Sequence, residues 1–209
     1  MMDALCYAVA LASVLVALSI TPAQLAARSG LRYIAGPATS RARAPALVLG
    51  SGVGAALAIG LAGVTFGPPA ALTAAVLVLL ILLATVDLAW RWLPVEWCGL
   101  LALIGVTQAI ITASYEAALL GAAVGGGTLL ALRALYLVSR GVEALGLGDV
   151  WLAAALGTVV GPAHIIWILG LAAGLGLLVY FAASGRKRAD AGVAFGAHIC
   201  AVTPIFVGI

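Results

Sequence analysis

The sequence predicts an all-α, polytopic integral membrane protein of about eight transmembrane helices, with its N-terminus outside. Three observations predict it. Only 17 of 209 residues are charged, 10 basic and 7 acidic, where a soluble domain of this length would carry roughly 50. Hydrophobic residues make up 65% of the chain and the mean hydropathy is +1.26. A water-soluble fold cannot hide that much apolar surface under polar cover. Finally, apolar runs near the length of a bilayer crossing follow one another with short breaks between them. A soluble enzyme, a nucleic-acid-binding module and a disordered chain are excluded.

The runs fall at about 4–20, 45–66, 70–88, 95–113, 117–138, 147–161, 163–183 and 192–208. The first is read as a retained helix, because Met1-Met2-Asp3 lacks the basic start of a signal peptide. Breaks stand at Gly67-Pro68-Pro69, Pro94, Ser114-Tyr115, Gly161-Pro162 and Gly185-Arg186-Lys187-Arg188. The 147–161 run is the shortest. No polar segment is long enough for a second domain, so residues 1–209 are read as a single transmembrane domain. Residues 21–44 form its short basic cytoplasmic loop.

Charge placement agrees with that map. With the N-terminus outside, Arg28, Arg32, Arg41, Arg43, Arg91, Arg133, Arg140, Arg186, Lys187 and Arg188 all fall on one side. The positive-inside rule makes that side cytoplasmic. Losing or adding one helix would scatter these residues over both faces. The expected setting is therefore the plasma (inner) membrane, crossed many times, with lipid as the surrounding partner and no nucleic acid.

Small residues recur as Gly50-x-x-x-Gly54, Gly121-x-x-x-Gly125, Gly170-x-x-x-Gly174 and Gly192-x-x-x-Gly196. That spacing lets helix backbones approach closely. Packing within the chain is the plainer reading, and a homo-oligomer interface is the sharper one. Cys6, Cys98 and Cys200 lie far apart with no C-x-x-C pair, which offers neither a disulfide framework nor a zinc site.

The acidic residues carry the chemistry. Asp3 and Glu116 mark outer helix ends, and Asp190 sits among basic residues in a loop. Glu96 and Glu143 lie near the cytoplasmic interface, where they cap helices or pair with Arg91 and Arg140. Asp87 differs, because it ends the apolar run 74–86. Asp149 differs too, sitting in Gly146-Leu147-Gly148-Asp149 at the mouth of an apolar helix. An ionisable group at membrane depth is costly and is a functional candidate by default. Singly, Asp149 could be a helix cap and Asp87 a helix end. Together they lie at the same cytoplasmic edge. Two carboxylates meeting in a low-dielectric site share a proton, one ionised and one neutral. Such a pair suits peptide hydrolysis, the ionised group activating a water and the protonated one polarising the carbonyl. Glycines before Asp149 would let an extended substrate backbone come close.

These residues resemble a known family. Asp87-Leu88-Ala89-Trp90-Arg91-Trp92-Leu93-Pro94 is similar to the first aspartate motif of the type IV prepilin peptidases, in which a Pro follows the Asp by seven residues. Gly146-Leu147-Gly148-Asp149 is similar to their second motif, G-x-G-D, shared with other intramembrane aspartyl proteases. Ala194-Phe195-Gly196-Ala197 is similar to a Phe-Gly segment of the family's last helix. The resemblance covers roughly residues 45–209. It implies an aspartic endopeptidase that removes the short basic leader of prepilins or pseudopilins at the cytoplasmic face. Asp87 and Asp149 would be catalytic, supported by Pro94, Gly146 and Gly148, without metal, cofactor or covalent intermediate. Two departures stand out. The family usually has Lys two residues after the second Asp, where this chain has Trp151. Bifunctional relatives carry paired C-x-x-C motifs in a cytoplasmic segment and methylate the new N-terminus, whereas the 21–44 loop has no cysteine. The implied form is a peptidase without the methyltransferase segment.

Other chemistries fail on residue type. H-E-x-x-H is absent, with only His164 and His198 in the chain. Ser51 has Leu49 where a rhomboid-like serine motif has its first Gly. The alternatives from other classes are a small transporter or channel using Asp87 and Asp149 as proton or cation sites, and an inactive relative acting as an assembly factor. A transporter leaves the Asp-to-Pro spacing unexplained, and no internal repeat is evident.

Overall fold

A computed structural model describes residues 68–141, 143, 145–183 and 194–207. The 4–20 and 45–66 runs, the 21–44 loop, Gly50-x-x-x-Gly54, Asp190 and Gly192 lie outside the described residues. So do Asp3, Cys6 and the basic run 186–188.

The regular elements among the described residues are all helical: α1 (Pro68–Trp90), α2 (Val95–Ile111), α3 (Tyr115–Arg140), α4 (Leu147–Ala183) and α5 (Phe195–Val202), closed by a 3-10 turn over Thr203–Ile205. Each fits its sequence. Pro68 and Pro69 open α1, where a missing backbone N–H costs nothing. Pro94 is the N-cap of α2 at φ −67° and ψ 120°. Gly141 ends α3 in the left-handed conformation at φ 66°, its N–H returning to the Leu137 carbonyl at 2.9 Å. In hydrocarbon a segment is helical because its backbone polar groups find partners only within it, and its side chains are apolar because no water is there to solvate polar ones.

Among the described residues three stretches, Ala70–Leu88, Tyr115–Arg140 and Leu147–Phe181, are long and apolar enough to cross a membrane; Val95–Ile111 and Phe195–Ile205 are shorter. The last apolar run extends over 192–208 in the sequence. Its α-helix covers only eight residues, about 12 Å at 1.5 Å per residue, because Thr203-Pro204 tightens the chain into the 3-10 turn. That is too short for a bilayer of about 30 Å.

Contacts divide the chain into two units between Leu82 and Leu83, and the second holds Asp87, Asp149 and helices α2 to α5. Within it α3 and α4 pack most closely. A Cβ on Gly121 would strike the Gly157 carbonyl, and one on Gly157 would strike that of Gly121. Gly121-x-x-x-Gly125 is thus packing within the chain, as small residues let backbones touch. Gly170 and Gly174 have nothing within 4 Å of such a Cβ.

Helix α4 is interrupted at Gly161, whose φ of 77° and ψ of 175° are not helical, and Pro162 follows. Ala153 and Ile165 both meet the place where a Gly125 Cβ would stand. Twelve residues of straight helix would separate them by about 18 Å. The chain therefore turns back at Gly161, and arms 147–160 and 162–183 run side by side along α3. Gly161 can take this conformation because it has no Cβ. The break expected at Gly161-Pro162 is present.

Candidate active site

Both aspartates are placed by helix ends. Asp87 lies in the last turn of α1, where the Arg91 N–H closes the helix onto the Asp87 carbonyl at 2.8 Å. Arg91 takes a left-handed φ of 52°, unusual for a side-chain-bearing residue. The chain then turns and Pro94 starts α2, its carbonyl accepting from the N–H groups of Trp97 (3.1 Å) and Cys98 (3.2 Å). One helical turn from Asp87 to the left-handed Arg91, then Trp92 and Leu93 leading to the cap at Pro94, make up the seven-residue Asp-to-Pro spacing.

Asp149 is the third residue of α4. The backbone N–H groups of Gly146, just outside the helix, and of Gly196 serve its carboxyl, whose oxygens lie 3.5 Å and 3.0 Å from where a Cβ on those two glycines would stand. The first bond is one half of a capping box, an acidic third residue satisfying the N-cap donor. So the capping role considered for Asp149 is real, and it coexists with a second contact.

That second contact leads to α5. Its N-cap, Ala194, offers no side-chain cap, so the first amides of the helix need acceptors from elsewhere. They find both aspartates. The Gly196 N–H donates to Asp149, and the Ala197 N–H donates to Asp87 Oδ2 at 2.7 Å. Two successive donors at the positive end of one helix dipole thus hold two carboxyls from two other helices. A Cβ on Gly196 would stand 3.0 Å from Asp149 Oδ1 and 3.0 Å from Asp87 Oδ2. Twice that distance, about 6 Å, is the most that can separate these oxygens. Asp87 is buried at 5% exposure, and Asp149 is half-buried.

Leu93 completes the site. It is 4% exposed, and its side chain lies between the two glycine motifs. A Cβ on Gly148 would come within 2.9 Å of Leu93 Cβ, and one on Gly196 within 2.6 Å of Leu93 Cδ1. The substrate-approach role expected of the motif glycines is therefore not what excludes a side chain at Gly148. Leu93 occupies that space. At Gly146 the nearest atoms to a Cβ are Asp149 Oδ2 at 3.5 Å and Gly148 N at 4.0 Å, which is ordinary contact.

The structure thus brings together Asp87, Asp149, Gly146, Gly148 and, through the adjoining Leu93, Pro94. Sequence reasoning gives Gly196 less weight than the geometry does, and it assigns no role to Leu93 or Ala197. The available signal is the missing cap at Ala194, which leaves the α5 amides in want of acceptors. One pairing differs from expectation. Glu143 Oε1 pairs with Arg133 at 2.7 Å rather than with Arg140, because Arg133 faces the loop that carries Glu143. Arg91 and His198 act electrostatically on Asp87, and His198 Nδ1 lies 2.7 Å from the Ala194 carbonyl. Trp151, in the place of the expected Lys, is 54% exposed.

Among the described residues no group of three or more His, Cys, Asp or Glu side chains converges as a metal ion requires. A cleft of about 160 Å³ opens at the other end of the unit, lined by Gly105, Gln108, Thr112, Ser114, Thr158 and Gly161 among others; none of the expected site residues lines it.

Comparison with known proteins places this geometry in context. The profile of the type IV leader peptidase family matches residues 74–182, which include both aspartates. Among curated proteins, the prepilin leader peptidase/N-methyltransferases of Burkholderia pseudomallei strains 1026b and K96243 are each 33% identical over 170 residues. Those matches cover 77% of this chain and 52% of each relative. The chain therefore spans about half the length of the curated relatives it matches. No solved structure matches it.

Proposed function

The chain belongs to the type IV leader peptidase family, and from that premise we propose that it is a membrane-embedded aspartic endopeptidase. Its substrates are type IV prepilins or pseudopilins, from which it removes the short basic leader at the cytoplasmic face. One observation carries the reading: oxygens of Asp87 and Asp149 approach within about 6 Å around Gly196, each held by a backbone amide of the same helix.

The chemistry follows from the pair. One carboxyl is ionised and takes a proton from a water. The water oxygen adds to the scissile carbonyl carbon. The other carboxyl, protonated, donates to the carbonyl oxygen as it becomes a hydroxyl. The tetrahedral diol then collapses: the C–N bond breaks, a proton passes to the leaving nitrogen, and the pair returns to its starting protonation. A pair of this kind titrates as a unit. The amides of Gly196 and Ala197 hold the carboxyls in place and stabilise whichever is charged.

The orientation rests on charge. Arg91, Arg133 and Arg140 all belong to the aspartate-bearing end of the helices, and the positive-inside rule assigns that end to the cytoplasm. Residues 21–44 carry no cysteine, which supports cleavage by this chain without methylation of the product.

The test is cleavage of a prepilin by the purified protein in lipid. Wild type should process it, and Asp87→Asn and Asp149→Asn should not. Near-normal processing by either folded, inserted variant would overturn the proposal.

A further inference from the structure

Arg133 lies seven residues before the end of α3, between Leu132 and Ala134. Its side chain is only 14% exposed. A guanidinium so placed needs fixed partners, because an uncompensated buried charge costs several kcal/mol. Two partners come from the short connection between α3 and α4. One terminal nitrogen donates to the Leu145 carbonyl. The other pairs with Glu143 Oε1 at 2.7 Å, and Glu143 itself is 63% exposed. Held at two points, the planar fork has a defined orientation.

The Leu145 carbonyl belongs to the same peptide unit as the Gly146 N–H. That N–H serves the Asp149 carboxyl, whose Oδ2 lies 3.5 Å from the place a Gly146 Cβ would take. A peptide unit is a rigid plane, so a partner that holds its oxygen also sets the direction of its N–H. Hydrogen bonds in series polarise one another, strengthening each by about 10–30%. We infer that Arg133 is a positioning residue for Asp149, acting through the Leu145–Gly146 peptide and touching neither the carboxyl nor a substrate. Glu143 holds the guanidinium from the solvent side. The inference rests on the peptidase reading of Asp149.

The experiment uses the full chain in lipid nanodiscs, with a peptide spanning a prepilin leader junction as probe. Arg133→Gln should lower kcat about tenfold or more, the order expected when a reacting group is displaced by a fraction of an ångström. KM should stay within about twofold of wild type, since the substrate is not touched. Arg133→Lys should recover part of the loss, because an ammonium is a point charge rather than a planar fork. Arg140→Gln removes the same charge from the exposed end of α3 and should leave activity unchanged. A second readout is independent of activity: in glycine-labelled protein the Gly146 amide proton should move upfield in Arg133→Gln, as its hydrogen bond weakens, and stay in place in Arg140→Gln.

A folded Arg133→Gln protein with wild-type kcat, or with an unmoved Gly146 resonance, overturns the inference. If that variant does not insert, the same two measurements are made on Arg133→Lys, and wild-type kcat or an unmoved resonance there overturns it equally. A wild-type protein that cleaves no prepilin peptide defeats the peptidase reading instead, and the Gly146 resonance still decides whether Arg133 sets that amide.

Discussion

Replacing Gly196 by alanine adds one methyl group at the point where three side chains meet. Its Cβ would stand 2.6 Å from Leu93 Cδ1 and 3.0 Å from oxygens of both Asp149 and Asp87. Leu93 can rotate away at small cost. The carboxyls cannot, because their positions are set by the amides of Gly196 and Ala197. Each oxygen must retreat by a few tenths of an ångström, which lengthens a bond to a charged acceptor worth about 1.5–3 kcal/mol. Losing about 2 kcal/mol of that from the transition state corresponds to about thirtyfold in kcat. Alanine also favours helix over glycine by up to about 1 kcal/mol, so global stability should change little. The assay is single-turnover cleavage of a prepilin peptide, alongside thermal unfolding in detergent. Gly99→Ala, where a Cβ meets nothing within 4 Å, is the silent control. A folded Gly196→Ala protein cleaving within about threefold of wild type, less than about 0.7 kcal/mol, would show that the carboxyls are not held as argued.

The aspartates should behave as one unit: Asp87→Asn and Asp149→Asn each abolish nearly all cleavage, and the double variant is little worse. Glu96→Gln and Asp190→Asn should cost far less in the same assay, and loss of activity in them equal to that of the aspartate variants would refute the assignment. For sidedness, a single cysteine at Thr39 in a cysteine-free background should resist an impermeant thiol reagent applied to intact cells; labelling from outside would reverse the orientation. For scope, purified protein incubated with prepilin and labelled S-adenosylmethionine should release mature product without label, and transfer of label to its N-terminus would sink the claim.

Much of the helical map is legible in the chain. Pro68-Pro69, Pro94 and Gly161-Pro162 stand at the observed starts and reversal because proline removes a donor and glycine tolerates left-handed backbone. The last helix is shorter than its apolar run, since that composition continues past Thr203 and does not distinguish an α-helix from a tightened turn. Asp87 and Asp149 are singled out by the cost of charge at membrane depth, a local property. Gly196 is undervalued by sequence reasoning because its importance lies in what surrounds it, 47 residues beyond Asp149.

By itself, then, the sequence determined that the chain inhabits a membrane, where its helices break, and which carboxyls are anomalous. Each is a matter of composition or of neighbours along the chain. Only the tertiary structure decided that the α5 amides bind both carboxyls, that Leu93 rather than a substrate fills the space at Gly148, and that Glu143 answers Arg133 instead of Arg140. Those choices depend on which helix ends converge. Convergence is set by close backbone packing, such as Gly121 against Gly157 and the reversal at Gly161, whose partners are distant in sequence and leave no periodic trace in it.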